Sequence, residues 1–190
     1  MAPRLHIITT STRPGRIGPS IAAWFHDAAK AHGGFEAVPV DLASFNLPIY
    51  DEPQHPSTQI YEKAHTKAWA ASVAAADAYV FILPEYNFSP PPSLINALDF
   101  VYKEWNYKPA GFVSYGGISG GLRSVQIAKL HLTTLKMVPL VEAVVVPLVG
   151  QQIDANKVFT PNDIQKDAAK GLLDELLRWT NALKPLRAAK

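Results

Sequence analysis

Five short runs of apolar and β-branched residues recur along this chain, and they restrict its fold more than any other feature of the sequence. Each run is shorter than a typical helix, and most lack the apolar–polar alternation of a strand with one face in water. We therefore expect strands that are buried on both faces, as in a parallel sheet covered by helices. The predicted strands are residues 5–10, 36–42, 78–83, 110–115 and 143–146, with Pro39 placing the second at an edge.

Helical patterns separate these strands. We expect helices from near Pro19 to Gly33, over residues 59–76, after Ser89 as N-cap, over residues 122–135, and after Thr160 as the last N-cap. The apolar faces are predicted to include Ile60, Ala64, Ala68 and Ala71 in the second helix, Leu94, Leu98, Val101 and Trp105 in the third, and Ile164, Ala168, Leu172, Leu176 and Trp179 in the last.

This alternation predicts an α/β fold, a flavodoxin-like three-layer sandwich in one domain of residues 1–190. Its five-stranded parallel sheet is expected to have the order 2-1-3-4-5. In that order the chain adds strands first to one side and then to the other side of the first strand. The switch point lies between the first and third strands, and ligands bind at the carboxyl ends of these two strands. The two loops that follow residues 10 and 83 are therefore expected to meet at the ligand site.

The composition excludes several other classes of protein. Hydrophobic residues make up 48% of the chain, so it is not a disordered chain, and no apolar run is long enough to span a membrane. The absence of cysteine excludes disulfides and thiolate chemistry, and the six histidines lack the spacing of metal ligands. A net charge of +2 with scattered basic residues argues against nucleic acid. No signal-peptide pattern opens the sequence, so we expect a cytoplasmic protein.

The loop after the first strand has the chemistry of an anion site. Hydroxyls of Ser11, Thr12 and Ser20 and the charges of Arg13 and Arg16 surround the start of a helix, whose free N–H groups attract anions. The alternative is an ordinary glycine-rich connection with solvated arginines. A Walker loop is excluded because no Gly-Lys-Ser/Thr is present.

Two further loops have the composition of a site for a planar ring. Backbone N–H groups around residues 85–87 are placed to donate to a heterocycle and Tyr86 to pack on it; alternatively, Tyr86 is a half-buried aromatic and Asn87 a turn former. Residues 114–121 form a glycine-rich loop that is neither a dinucleotide fingerprint nor a nucleophile elbow. Ser114 is therefore expected to donate a hydrogen bond rather than attack a substrate.

Three blocks of residues, in this order, make the chain similar to the NADPH-dependent FMN reductases. They are residues 10–18 (TSTRPGRIG), Pro84-Glu85-Tyr86-Asn87 with Asn96-Ala97-Leu98-Asp99, and Ser114-Tyr115-Gly116-Gly117 with Gly120-Gly121-Leu122-Arg123. The resemblance implies FMN, with its phosphate at the first block and its ring over the second and near the third. The cofactor-binding residues it indicates are Ser11, Arg13, Ser20, Ile21, Pro84, Glu85, Tyr86, Asn87, Ser114, Tyr115, Gly116 and Gly117.

The same resemblance implies hydride transfer from NADPH or NADH through flavin N5 to a small acceptor such as a quinone, a free flavin, an azo compound or a metal ion. Because the flavin carries this chemistry, no catalytic side chain is expected. Arg16 is a candidate for the phosphate of NADPH, with a solvated position as the alternative. A homodimer or homotetramer is implied, and an FMN-binding electron carrier without nicotinamide turnover is the alternative function. The sequence departs from the family at Phe88, at Pro90–Pro92 and at Phe100.

Overall fold

The structure is a computed structural model that describes residues 2–188. Its centre is a five-stranded sheet in which every neighbouring pair is parallel and the order is β2-β1-β3-β4-β5, which confirms the predicted topology. The strands are β1 (Arg4–Thr9), β2 (Glu36–Asp41), β3 (Ala78–Pro84), β4 (Pro109–Tyr115) and β5 (Val138–Val146). As Pro39 predicts, β2 is an edge strand.

Five α-helices cover the two faces of the sheet. One face carries α1 (Gly18–His32) and α5 (Asp163–Ala188), and the other carries α2 (Ala64–Ala75), α3 (Pro92–Asp99) and α4 (Leu122–Thr134). Short 3-10 turns lie at Leu42–Phe45, Pro56–Thr58, Lys103–Trp105 and Val149–Gln151. None of the helices within residues 2–188 has both the length and the apolar composition needed to cross a membrane.

Two hydrophobic cores explain why the strands are apolar without alternation. Along β3, Tyr79 and Phe81 face the core under α2–α4, whereas Val80 and Ile82 face the core under α1 and α5. All seven residues of β3 are buried, and so are all seven residues of β4. A strand that packs on both faces needs apolar residues at every position, which is the pattern the sequence carries.

The predicted second helix begins too early and has the wrong buried face. Helix α2 starts at Ala64 rather than residue 59, because the Glu52 carboxylate accepts hydrogen bonds of 2.9 Å from the amides of Glu62 and Lys63 and ends the preceding loop there. Its buried face is built around Trp69, with Thr66, Ala70 and Val73. The predicted residues Ile60, Ala64, Ala68 and Ala71 are exposed, since one buried indole outweighs several alanines in apolar area.

Two predicted N-caps are also wrong. Ser89 pairs with Tyr86 through backbone hydrogen bonds of 2.9 and 3.0 Å, and α3 starts later, at Pro92. The last helix is capped by Asn162 rather than Thr160. The Asn162 side chain accepts from the Gln165 amide, and the Gln165 side chain accepts from the Asn162 amide, both at 2.9 Å. This reciprocal capping box satisfies two free amides at the helix start.

Other predicted boundaries and faces differ from the structure. Helix α3 ends at Asp99, so Val101 and Trp105 are buried outside it. Strand β5 begins at Val138, five residues early, because it pairs with Pro109 and Ala110 before a bulge. On α5, Ile164 is exposed and Trp179 is partly exposed; the buried residues include Ala169, Leu172, Leu173 and Leu176.

Two glycine-to-alanine variants test the packing between β4 and α5. A Cβ atom at Gly111 would lie 2.6 Å from Leu172 Cδ1, whereas one at the exposed, helical Gly171 meets nothing within 4 Å. We expect Gly111→Ala to lower the free energy of unfolding by about 1–3 kcal/mol through overpacking. Gly171→Ala should raise it by about 0.5–1 kcal/mol through helix propensity. Urea unfolding measures both, and equal midpoints for Gly111→Ala and the parent chain would contradict this packing.

Candidate functional site

Three loops meet at the carboxyl ends of β1, β3 and β4, as the predicted topology requires. They are residues 10–17, 85–91 and 116–121. The Thr10 hydroxyl donates to the Ile82 carbonyl at 2.8 Å, and the Glu85 amide donates to the Tyr115 carbonyl at 3.1 Å. The Tyr115 hydroxyl donates to Ser11 Oγ at 3.3 Å. The three sequence blocks that were expected to share a site are therefore neighbours in space.

The first loop presents backbone donors rather than a cluster of side chains. Arg13 is exposed, and its guanidinium donates to the Pro14 carbonyl at 3.2 Å and to no other acceptor among residues 2–188. Ser20 is half-buried, and Ser11 is fully buried. Within the described residues, several amides of the loop and the helix start donate to no protein acceptor. They are the amides of Ser11, Thr12, Arg13, Gly15, Ile17 and Gly18. Such a set of free amides at a helix start is suited to an anion.

The start of α1 is packed directly on this loop. A Cβ atom at Gly18 would lie 2.6 Å from Ser11 Oγ and 2.9 Å from the Tyr115 hydroxyl, so only glycine fits. Burial raises the pKa of Tyr115 to about 12, which keeps its phenol neutral and able to donate to Ser11. Three residues after Gly18, the Ile21 side chain is fully buried in the core under α1 and α5. Ile21 can therefore contribute only backbone atoms to the loop.

Arg16 is neither solvated nor free. Its Nη1 donates to Asp41 Oδ1 at 2.6 Å and to the Ser11 carbonyl at 2.5 Å, and its Nη2 donates to Asp41 Oδ2 at 2.5 Å. This hydrogen-bonded guanidinium lowers the pKa of the Asp41 carboxyl. The alternative of a solvated Arg16 is wrong. The Arg16 charge, which was a candidate for binding the phosphate of NADPH, is already paired with Asp41. Sequence reasoning missed Asp41 because no local pattern couples the end of β2 to this loop.

The second loop is a two-residue reverse turn. Asn87 and Phe88 have φ values of 50° and 70°, and the Tyr86 amide and carbonyl pair with Ser89 on either side of them. Positive φ at both central positions is the geometry of a type I′ turn. The amides of Glu85 and Tyr86 are used within the protein, so of residues 85–87 only the Asn87 amide points to no described acceptor. The neighbouring amide of Phe88 is free in the same sense.

A second ion pair joins this turn to the third loop. The Glu85 carboxylate is nearly buried, and it accepts hydrogen bonds from Ser119 Oγ at 2.9 Å, from Arg123 Nε at 2.8 Å and from Arg123 Nη2. These contacts lower the pKa of Glu85, and the hydrogen bonds from Arg123 have the largest effect. The same guanidinium lies 3.6 Å from the centre of the Phe88 ring. Arg123 and Ser119 were not among the predicted site residues, although the quoted glycine-rich block contains Arg123.

The third loop is buried where it leaves β4 and open to a ligand at Gly117. Ser114 is fully buried, and within residues 2–188 its hydroxyl has no hydrogen-bond partner. The expected hydrogen bond from Ser114 is therefore not made inside the protein. A Cβ atom at Gly116 would touch Gly121, whereas one at Gly117 would meet nothing within 4 Å. A flat ligand has room to approach the backbone at Gly117.

These features fit a phosphorylated, planar cofactor. The free amides of the first loop and the charge of Arg13 suit a phosphate, while Tyr86, the Asn87 and Phe88 amides and the open Gly117 suit a ring. Asp41 and Glu85, the two carboxylates beside these groups, are each neutralised by an arginine. No unpaired negative charge among these residues opposes a phosphate.

Comparisons with known proteins identify the family of this chain. Residues 3–151 match the family model of NADPH-dependent FMN reductases. An NAD(P)H-dependent FMN reductase of Schizosaccharomyces pombe is 34% identical, over 97% of this chain and 96% of its own length. A quinone reductase of Escherichia coli is 28% identical, over 65% of this chain and 66% of its own. The solved structure of FerB, a flavoenzyme NAD(P)H:(acceptor) oxidoreductase from Paracoccus denitrificans, superposes with a TM-score of 0.70 at 18% identity, over 95% of this chain and 98% of its own, and so supports the fold.

The family match and the reductase relatives favour an enzyme over the alternative of an electron carrier. The sandwich fold, the paired loops and the match over residues 3–151 lead to one conclusion. The chain belongs to the NADPH-dependent FMN reductase family and is a flavin-dependent NAD(P)H oxidoreductase that uses FMN as its cofactor.

Proposed function

We propose that this chain binds FMN across the three loops, with the phosphate on residues 11–20 and the ring over residues 84–87 and beside residues 115–117. The observation that carries this proposal is the group of free amides in the first loop, which the Tyr115 hydroxyl joins, through Ser11 Oγ at 3.3 Å, to the strand end that precedes Gly117. The residues assigned to FMN are Ser11, Arg13, Ser20, Ile21, Pro84, Glu85, Tyr86, Asn87, Ser114, Tyr115, Gly116 and Gly117. Of these, Ile21, Ser114 and Glu85 act through backbone atoms or by holding the loops.

The side chains near the proposed ring position do not need to act as acids or bases. When bound, FMN supplies the centre that accepts a hydride from NADPH or NADH and passes electrons to a small acceptor. The protein holds the ring through the amides of Asn87 and Phe88, packs Tyr86 against it, and keeps Glu85 neutralised by Arg123. Donors placed in advance stabilise negative charge on the ring without reorganisation. We assign no catalytic side chain.

The acceptor is proposed to be a small planar compound, such as a quinone, a free flavin or an azo compound, with oxidised metal ions as a further class. Phe88 supports an aromatic acceptor. The residue is 61% exposed, and the Arg123 guanidinium lies 3.6 Å from the centre of its ring. A quinone reductase among the relatives has the same kind of acceptor in its name. A half-covered aromatic ring at the edge of the site offers a surface on which a planar acceptor can stack.

The proposed assembly and location of the protein rest on its composition and on its exposed apolar side chains. We propose a homodimer or homotetramer, because Phe88, Ile118, Leu122 and Leu148 are exposed apolar side chains on the loops around the site. The chain is proposed to act in the cytoplasm as a single domain of residues 1–190, without nucleic acid as a partner.

An absorption spectrum tests the proposed activity directly. Purified protein mixed with FMN and separated from excess should be yellow, and NADPH or NADH added without oxygen should bleach the flavin band. A protein that retains no FMN would contradict the cofactor assignment. A yellow protein that neither nicotinamide bleaches would support the electron carrier instead.

Replacing Arg13 tests the proposed phosphate site. A charge-assisted hydrogen bond contributes about 1.5–3 kcal/mol, so Arg13→Ala should weaken FMN binding by about tenfold to a hundredfold. Quenching of flavin fluorescence on titration measures the Kd. Arg178→Ala is the control, because Arg178 is an exposed arginine on α5 that pairs only with Glu175. Equal FMN affinities in the two variants would remove Arg13 from the phosphate site.

Replacing Phe88 tests the aromatic acceptor. Phe88→Asn removes the ring but tolerates the left-handed backbone of the turn. Loss of one stacking contact of about 1 kcal/mol should raise the KM for a benzoquinone about fivefold, while the rate of flavin reduction by NADPH is unchanged. Leu130→Ala, at an exposed leucine of α4, is the matched control. A quinone KM equal to that of the parent chain would show that Phe88 does not contact the acceptor.

A further inference from the structure

The contacts of Arg16 hold in place the loop of residues 10–17, to which the FMN phosphate is proposed to bind. Its side chain is only 18% exposed, and three of its N–H groups are used, two on Asp41 and one on the Ser11 carbonyl. Its own backbone amide donates to the Arg13 carbonyl at 3.3 Å, which closes a turn that contains Gly15 at a φ of 72°. Arg16 thus holds the segment that carries the free amides at two points, the Ser11 and Arg13 carbonyls.

The contact with Ser11 has a geometric consequence for the next amide. The peptide unit between Ser11 and Thr12 is planar and trans, so its carbonyl and its N–H point in opposite directions. Because Arg16 holds the Ser11 carbonyl at 2.5 Å, the Thr12 amide is directed away from the guanidinium. Thr12 N–H is one of the amides without a protein acceptor. Arg16 therefore fixes the direction of a donor that has no acceptor among the described residues.

Asp41 keeps the guanidinium in the orientation that this contact needs. It is the last residue of β2, and both of its carboxylate oxygens bind Arg16. It also accepts the Ala43 amide at 3.1 Å and so begins the short turn at Leu42–Phe45. A bidentate pair of this kind sets the plane of an arginine, which a lysine cannot reproduce.

We propose that Arg16 and Asp41 are positioning residues for the FMN phosphate: the pair shapes the loop of residues 11–18 so that its amides, rather than the Arg16 charge, bind the phosphate. Asp41 thereby strengthens phosphate binding although its charge is negative. A direct role for Arg16 leads to the opposite expectation, because removing the Asp41 charge would then free the guanidinium for the phosphate.

The test compares FMN with riboflavin, which has the same ring but no phosphate, as ligands of the apoprotein. Asp41→Asn keeps the cap on Ala43 but loses the ion pair. We expect it to weaken FMN binding about tenfold and to change riboflavin binding by less than about twofold. Arg16→Lys should do the same, and the double variant should lose no more than either single variant, because one unit is disrupted in all three.

Glu36→Gln provides the matched control. Glu36 pairs with Arg4 at 2.9 Å across the same β1–β2 ladder but at the amino end of the strands, whereas Asp41 lies at the carboxyl end, so the loss of the Glu36 charge should leave both affinities unchanged. Urea unfolding of the apoproteins identifies a variant that does not fold. If one of Arg16→Lys and Asp41→Asn fails to fold, the other single variant still tests the proposal by itself. Unchanged or tighter FMN binding in Asp41→Asn would overturn the proposal in favour of direct ligation. Equal losses for FMN and riboflavin would overturn it in favour of a general structural role.

Discussion

Two arginine–carboxylate pairs hold the loops at the carboxyl edge of the sheet in place. Arg16 ties the loop after β1 to the end of β2, and Arg123, at the start of α4, ties the end of the loop after β4 to Glu85, which follows β3. Each pair crosses from one strand to its neighbour, so each loop is fixed by a strand that it does not follow. Loops without such ties lose more conformational entropy when a ligand orders them. The pairs also neutralise the Asp41 and Glu85 carboxylates, which stand beside the loops proposed for the phosphate and the ring.

The sandwich itself could be predicted because its determinants are local. Apolar runs without alternation identify buried strands, and their alternation with helices restricts the topology to very few solutions. The boundaries that were wrong depend on contacts from elsewhere in the chain. Helix α2 begins where the distant Glu52 caps it, and its buried face is set by Trp69, which fits a space that only the assembled core defines. Neither effect is visible in a window of neighbouring residues.

The site was predictable in position but not in its internal contacts. The strand order brings the loops together, and the glycines and hydroxyls indicate an anion and a ring. However, Arg16 and Asp41 are 25 residues apart, Glu85 and Arg123 are 38 apart, and no sequence pattern links them. Asn87 suggests a turn, whereas a phenylalanine with positive φ is unusual, and the contact of its ring with Arg123 comes from a distant part of the chain. Prediction from the sequence failed for the charged side chains that pair with residues far away in the chain.

The close packing at Gly18 restricts how this chain can change over evolution. The first turn of α1 lies so close to the Ser11 hydroxyl and the Tyr115 phenol that Gly18 has no room for another atom. A larger residue at position 18 would have to displace the end of β4, the loop or the helix. Variation in the strength or selectivity of ligand binding is therefore confined to exposed neighbours, such as Thr12 and Arg13, which can be exchanged one at a time.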